Sequence, residues 1–308
     1  MGRVIPAMFL FAALSAAFLT GVNAYAEENK VVVLMSSDAE SFKHVLDGFK
    51  EQIASKNPST LVTSITLKGI EATAAVSQVL AAKPDVIVSV GEDATKLMKE
   101  NIKDKQIVFC MIFNTQNYTE QNITGVSLEI RPDMKLQELK KIYPAVKKIG
   151  VLYSANSLMS YAELNAEAPN QGLTIIAKKI ENDSDFPGAL KDVSSQTDCF
   201  LMVADPKVYF SQTIKYLLLE SLRNKFPVLG LSSFYTKAGA FASFECDYKD
   251  LGRQSADITA KLFSGQRASD IKIQRPRKLK YSISALVADK MQIKIPEQVL
   301  REASEVFN

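Results

Sequence analysis

Apolar residues in this chain gather into short, nearly continuous runs set apart by amphipathic stretches. Residues 31–35, 86–90 and 107–113 are such runs, and their polar flanks suit strands buried on both faces of a sheet. Residues 61–67 alternate apolar and polar, as a half-buried strand does. Helical spacing fills the intervals. Phe42, Val45, Leu46 and Phe49 recur at helical steps behind Ser37 and Glu40, which stand at capping-box distance. Residues 72–82 are rich in Ala and Val and end at Lys83-Pro84-Asp85, and 92–101 make a third helix. The order β-α-β-α-β-α-β predicts a parallel sheet with helices on both faces.

The series then repeats. Strands are expected at 149–153, 173–178, 199–203 and 228–231, with helices at 158–168, 186–193 and 209–222 between them. PDVIV at 84–88 answers TDCFL at 197–201, and KQIVF at 105–109 answers KFPVL at 225–229. Duplication of a whole α/β layer predicts two similar Rossmann-like lobes rather than one large sheet. Strand-like stretches at 124–129, 239–244 and 279–284 are the expected chain crossings between them. After the second series comes a helix over 247–265. Asp247 can cap it, Leu251, Ile258 and Leu262 form its apolar stripe, and Gly265 can stop it. That helix returns the chain to one of the two bodies, so the expected division is 27–125 plus 245–278 for lobe 1 and 126–244 plus 279–308 for lobe 2.

Residues 1–26 read as a secretory signal peptide. Arg3 supplies the positive start, 4–22 is mostly apolar, and Ala24-Tyr25-Ala26 fits a small-residue cleavage site before Glu27. A periplasmic, exported protein is therefore expected. Net charge is +3 for 308 residues, which indicates no general attraction to nucleic acid. The three cysteines, Cys110, Cys199 and Cys246, sit in or beside apolar runs and read as buried free thiols, with one bridge left open.

Enzyme signatures are missing. His44 is the only histidine, which excludes a multi-histidine metal site. There is no HExxH, CxxC, GxSxG, P-loop or GxGxxG motif, and Ser269 and Lys272, at SxxK spacing, lie in a polar turn without partner motifs. No catalytic residue, metal or cofactor is assigned. Small and polar residues do recur where strands end and helices begin, which is where parallel α/β sheets hold ligands. In the first lobe the candidates are Ser36, Ser37, Ser89, Gly91, Glu92, Asp93 and Asn114, with Phe113 as an apolar wall. In the second they are Ser154, Asn156, Ser157, Asp205 and Ser232, with Phe234 as an apolar wall. Each polar one also suits an ordinary helix cap, and a cap at a cleft edge can serve both purposes. The basic run 275–280 reads as a solvated strand edge.

Several segments carry a family resemblance: NITGVS at 122–127, KIGVLY at 148–153, KAGA at 237–240, DYKDLGRQ at 247–254, RPRK at 275–278 and IKIP at 293–296. With these the chain resembles bacterial ABC-transporter substrate-binding proteins, of the group that includes aromatic-amino-acid binders. The resemblance implies a fold like periplasmic-binding-protein type I, with two α/β lobes that close on a small ligand by hinge motion. It also implies an ABC permease in the inner membrane as partner, with the binding protein acting as a monomer. The ligand loops depart from the family pattern. Residues 91–95 replace a small-residue loop after the third strand, and 114–117 replace an aspartate-proline segment after the fourth. The ligand expected is thus a small polar or zwitterionic molecule, an amino acid among the candidates. Two other readings use the same scaffold: a periplasmic sensing module for a membrane signalling protein, and an exported α/β hydrolase or transferase.

Overall fold

The computed structural model describes residues 1–2 and 28–308. The signal peptide expected at 1–26, with its cleavage site, falls outside the described residues apart from Met1 and Gly2. In the first half, β1 (Lys30–Met35), α1 (Glu40–Lys56), β2 (Leu61–Thr66), α2 (Ala72–Ala81), β3 (Val86–Val90), α3 (Glu92–Asn101), β4 (Gln106–Ile112) and β5 (Ile123–Ser127) follow one another. The second series runs α4 (Pro132–Ile142), β6 (Lys148–Tyr153), α5 (Leu158–Glu167), β7 (Thr174–Lys179), α6 (Phe186–Ser194), β8 (Cys199–Leu201), α7 (Ser211–Asn224), β9 (Val228–Gly230), α8 (Ser233–Lys237) and β10 (Ala242–Cys246). Then come α9 (Tyr248–Phe263), β11 (Leu279–Ser284), α10 (Ala285–Met291), α11 (Glu297–Glu302) and β12 (Glu305–Phe307).

The strands form two sheets. The first is five-stranded, ordered β2-β1-β3-β4-β5, and parallel throughout. The second is seven-stranded, ordered β12-β11-β10-β9-β8-β6-β7, and only its β10–β11 pair is antiparallel. The protein is thus an α/β molecule of two Rossmann-like lobes. The continuous apolar strands are the central ones, as parallel packing requires: every residue of β3 is buried, whereas β2, the alternating strand, lies at the edge and has no buried residue.

Two helix starts differ from the sequence expectation. Ser37 accepts a hydrogen bond from the Ala39 N–H at 3.1 Å, so its hydroxyl closes a turn and α1 begins at Glu40 without a side-chain cap. Helix α7 begins at Ser211 rather than 209. The Val208 and Tyr209 N–H groups bond back to the Asp205 carbonyl, and the Tyr209 hydroxyl donates to the Leu152 carbonyl at 3.0 Å, which makes a separate turn. Helices α4 and α8 are additional to the helices expected up to residue 265.

Helix α9 follows its expected course. Asp247 accepts from the Asp250 N–H at 3.1 Å, Leu251 and Ile258 are fully buried, and Gly265 takes φ +92° just past the end. It returns the chain to the first lobe and lies against α1. A Cβ at Gly252 would stand 2.0 Å from the Val45 carbonyl oxygen, and one at Gly48 1.9 Å from that of Lys249. The two helices meet backbone to backbone, which only glycine permits at those points.

The stretches expected as crossings are strands, and the chain changes lobe at their ends: after β5, between β10 and α9, and before β11. β5 reaches Ser127 and β10 reaches Cys246, so each sheet runs slightly past residues 125 and 244. The last crossing is held by charge. Arg277 donates to both carboxylate oxygens of the buried Asp250 at 2.8 and 3.1 Å and to Asp257 at 3.2 Å, and Lys278 and Lys280 approach Asp250 and Asp247. Gln254 joins the same strap, donating to the Arg275 carbonyl and accepting from the Arg277 N–H. The basic run at 275–280 is therefore an ion-paired connector rather than a solvated strand edge. Segments 247–254 and 275–278 are two sides of one joint.

Candidate functional site

Between the lobes lies a cavity lined from both. Phe113 reaches it from the end of β4 in the first lobe, and Glu129 and Ile130 from the first crossing. The second lobe supplies Lys135 of α4, Ser160 and Glu163 of α5, Met202 after β8, and Leu231 after β9. The cavity narrows to about 40 Å³ beside α5 and widens to about 240 Å³ toward β10, with Phe113, Ile130, Lys135 and Met202 common to both parts. The wider part adds Ser232, Tyr235, Glu245 and Tyr248. Beyond Ser232, Glu245 and Tyr248 the space opens into a cleft of about 460 Å³ between Glu40 and His44 of α1 and the end of the second sheet. The outer cleft lies within the range of small-molecule sites, about 300–1,000 Å³, and the inner cavity is smaller than that range. A groove of about 640 Å³ between α6 and α7 is larger, but only the second lobe lines it.

Phe113 and Ser232 are the sequence-expected site residues that line this inner cavity. Phe113 stands 44% exposed, an aromatic face left open to the cleft. Ser232 and Phe234 line the outer cleft, where Phe234 is 70% exposed. The remaining candidates do not line it, and most of them are tied into the scaffold around it. Ser36 accepts from the Ala94 N–H at 2.9 Å, capping α3 from across the sheet because Gly91 at its start has no side chain. Gly91 has φ +90°, and a Cβ there would lie 2.7 Å from the Ser36 hydroxyl. Ser89 accepts from the Thr95 hydroxyl at 2.8 Å and is fully buried. Glu92 accepts from the Tyr118 hydroxyl at 2.6 Å, Asp93 is exposed, and Asn114 accepts from the Gln116 N–H.

At the corresponding edge of the second lobe a buried knot closes on Asp205. One carboxylate oxygen accepts from the Ser154 N–H at 2.9 Å, the Ser154 hydroxyl at 2.7 Å and the Ser157 hydroxyl, and the other accepts from the Lys207 N–H at 3.0 Å. Asp205 is 2% exposed, and its acceptor capacity is taken by its own loop and by the end of β6. Asn156 is exposed beside the knot, and its N–H donates to Ser154.

The charged side chains of the cavity come from elements the strand-end pattern does not reach. Glu129 accepts from the Ser160 hydroxyl at 2.8 Å, and Arg275 of the last crossing holds Glu163 at 2.8 Å and Glu129 at 3.6 Å. Pairing with Glu163 raises the Arg275 pKa above its ordinary value. Lys135 lines the same space, and burial pushes its ammonium below the usual lysine range. Burial also raises the Glu245 carboxyl and pushes the Cys246 thiol up to about 12, and the Cys246 thiol donates to the Leu128 carbonyl at 3.4 Å. All three cysteines are free and buried. A detectable signal for α4 did exist: Pro132 suits a first helical turn, and Leu136, Leu139 and Ile142 follow at helical spacing.

Comparison with known proteins agrees with this geometry. The model of a family described as ABC transporter substrate binding protein matches residues 29–307. The chain belongs to that family. The family is one of substrate-binding proteins and not of enzymes. A tyrosine-binding protein of Clostridioides difficile is 24% identical over 155 residues, 49% of this chain and 44% of that protein, so the match spans under half the length of that curated relative. A Streptococcus ABC domain solved in complex with L-Trp has a TM-score of 0.61 at 21% identity, over 91% of this chain and 100% of that one. A ligand-free, open substrate-binding protein with adhesive properties from Clostridium difficile has a TM-score of 0.71 at 17% identity, over 91% and 99%. Among the described residues no helix is long and apolar enough to cross a membrane.

Proposed function

We propose that this family member is the periplasmic receptor of an ABC importer and that it captures a small zwitterionic molecule, an amino acid, in the cavity between its lobes. The observation that carries this reading is the cavity itself: it draws on both lobes and a crossing, and it combines apolar walls at Phe113, Met202 and Leu231 with a few charged groups. Such a mixture fits a ligand with an apolar body and ionic ends. The relatives named for tyrosine and for L-Trp support the same ligand class.

The lobes expected at 27–125 plus 245–278 and 126–244 plus 279–308 act as the moving bodies, and the three crossings are the hinge. Closure is favoured by contacts a ligand makes to both lobes at once, Phe113 on one side and the second-lobe walls on the other. The closed monomer then docks on a permease in the inner membrane.

The test begins with native mass spectrometry of protein taken from the extracytoplasmic fraction of its own cells. A thermal-shift screen of amino acids, organic acids, sugars and polyamines follows. A true ligand stabilises by about 2.7 kcal/mol at a hundredfold excess over its Kd, and it is recovered unchanged. Absence of any stabilising molecule across the screen, or recovery of a chemically altered one, contradicts the receptor reading.

A further inference from the structure

We propose that Lys135 selects the ligand, by receiving its carboxylate at the second-lobe wall while the apolar part of the ligand lies toward Phe113. This rests on the receptor reading above and narrows it to a ligand that must carry an anionic group.

Several observations converge on the ammonium group. Lys135 lines both the narrow and the wide parts of the interlobe cavity. Its natural counter-ions are engaged elsewhere: Glu163 and Glu129 are held by Arg275, and Glu129 also by Ser160. Cys246 is a neutral thiol turned to a backbone carbonyl. Among the described residues Lys135 has neither an ion pair nor a side-chain hydrogen bond, unlike Lys99, Lys141 or Lys249, which all find carboxylates.

Its place on the helix adds to the cost. Lys135 is the fourth residue of α4, close to the positive end of the helix dipole, which disfavours a cation, and the first-turn carboxylate of Asp133 is tied to Arg131 and not to Lys135. A half-buried cation against a positive helix end and apolar walls is unfavourable by itself, because water is withdrawn from it without a replacement. A ligand carboxylate seated in the cavity would give the ammonium the partner it lacks. The aromatic and aliphatic walls offer no second partner of that kind.

The test uses the full-length mature protein, a metabolite panel that includes the twenty common L-amino acids, and two variants, Lys135→Met and Lys135→Arg. Each amino acid that binds is compared with its carboxamide and its decarboxylated amine by calorimetry. The wild type should prefer the acid to either analogue by about 10- to 100-fold, the worth of one charge-assisted hydrogen bond. Lys135→Met should lose that factor toward the acid and nothing toward the carboxamide, with Lys135→Arg in between. In the absence of ligand, Lys135→Met should melt at the same temperature as the wild type or higher, since it removes an unpaired charge; a purely structural lysine would give a lower melting temperature.

The proposal falls if Lys135→Met binds the acid as tightly as the wild type, or if acid and carboxamide bind alike. It also falls, while the receptor reading stands, if the molecule that binds is a neutral sugar or a polyamine. Absence of binding by anything in the panel overturns both.

Discussion

At the carboxyl end of β8, Asp205 gives one oxygen to Ser154 and Ser157 and the other to the Lys207 N–H, and it is buried while doing so. It holds the strand-end loops of the second lobe together. Asp205→Asn replaces acceptor capacity with an amide that faces donors, so unfolding in urea should show a loss of about 2–3 kcal/mol, while ligand affinity changes little. A large loss of affinity at unchanged stability would instead place Asp205 on the ligand. Lys135 is the opposite case, a charge without a partner. A lysine whose ammonium is disfavoured in the folded state binds fewer protons there than in the unfolded chain. Its cost is therefore complete below its folded pKa and fades as the pH climbs from there toward the ordinary value of about 10.4. Glu129, Glu163, Arg275 and Cys246 face the same group and set where that window begins. A bound carboxylate raises the lysine again, so ligand binding should take up protons in that window and weaken as the pH rises through it. Calorimetry in buffers of different ionisation enthalpy measures the uptake; affinity that is flat with pH there would contradict it. Strand-end residues of this kind were legible in the sequence as caps because a serine or aspartate before a helix has a local role. Lys135 was not, since its role depends on which carboxylates Arg275 removes from it, and Arg275 lies far along the chain.

At the scale of elements, the alternation of strands and helices could be read from the apolar runs because a parallel strand buried on both faces leaves an unbroken signature, as 31–35 and 86–90 do. The same signal assigned α9 from its cap to its stop. It was silent on where α9 would pack, because the pairing with α1 rests on two glycines, Gly48 and Gly252, that bring backbones together and leave no hydrophobic mark. Gly252→Ala would place a methyl group against the Val45 carbonyl, where backbone must yield. The loss should reach about 3 kcal/mol, the upper end of overpacking costs, and should appear in chemical unfolding; a loss below about 0.5 kcal/mol would mean that the helices part without strain. The cavity-lining elements escaped the strand-end rule for a related reason. Residues 129–135 belong to a crossing and to the helix that follows it, and the topology, not their local pattern, carries them to the cleft.

Across the whole molecule, two lobes share three crossings, and the last of these is held by Arg277 on the buried Asp250. Arg277→Met leaves that carboxylate with Lys278 at 3.4 Å as its remaining cationic partner. Because the arginine is half exposed, the expected loss of stability is about 1–2 kcal/mol, below the range for a fully buried pair. Small-angle scattering should then report a broader distribution of ligand-free dimensions; a distribution identical to the wild type would show that the joint is held elsewhere. The central claim is that one small molecule touches both lobes at once. Hydrogen exchange with and without a stabilising amino acid tests it most directly. Peptides covering 109–118 in the first lobe, 128–136 at the crossing, and 200–206 and 230–236 in the second lobe should gain protection together at one ligand concentration. Protection confined to one lobe, or centred on the groove between α6 and α7, would contradict the account.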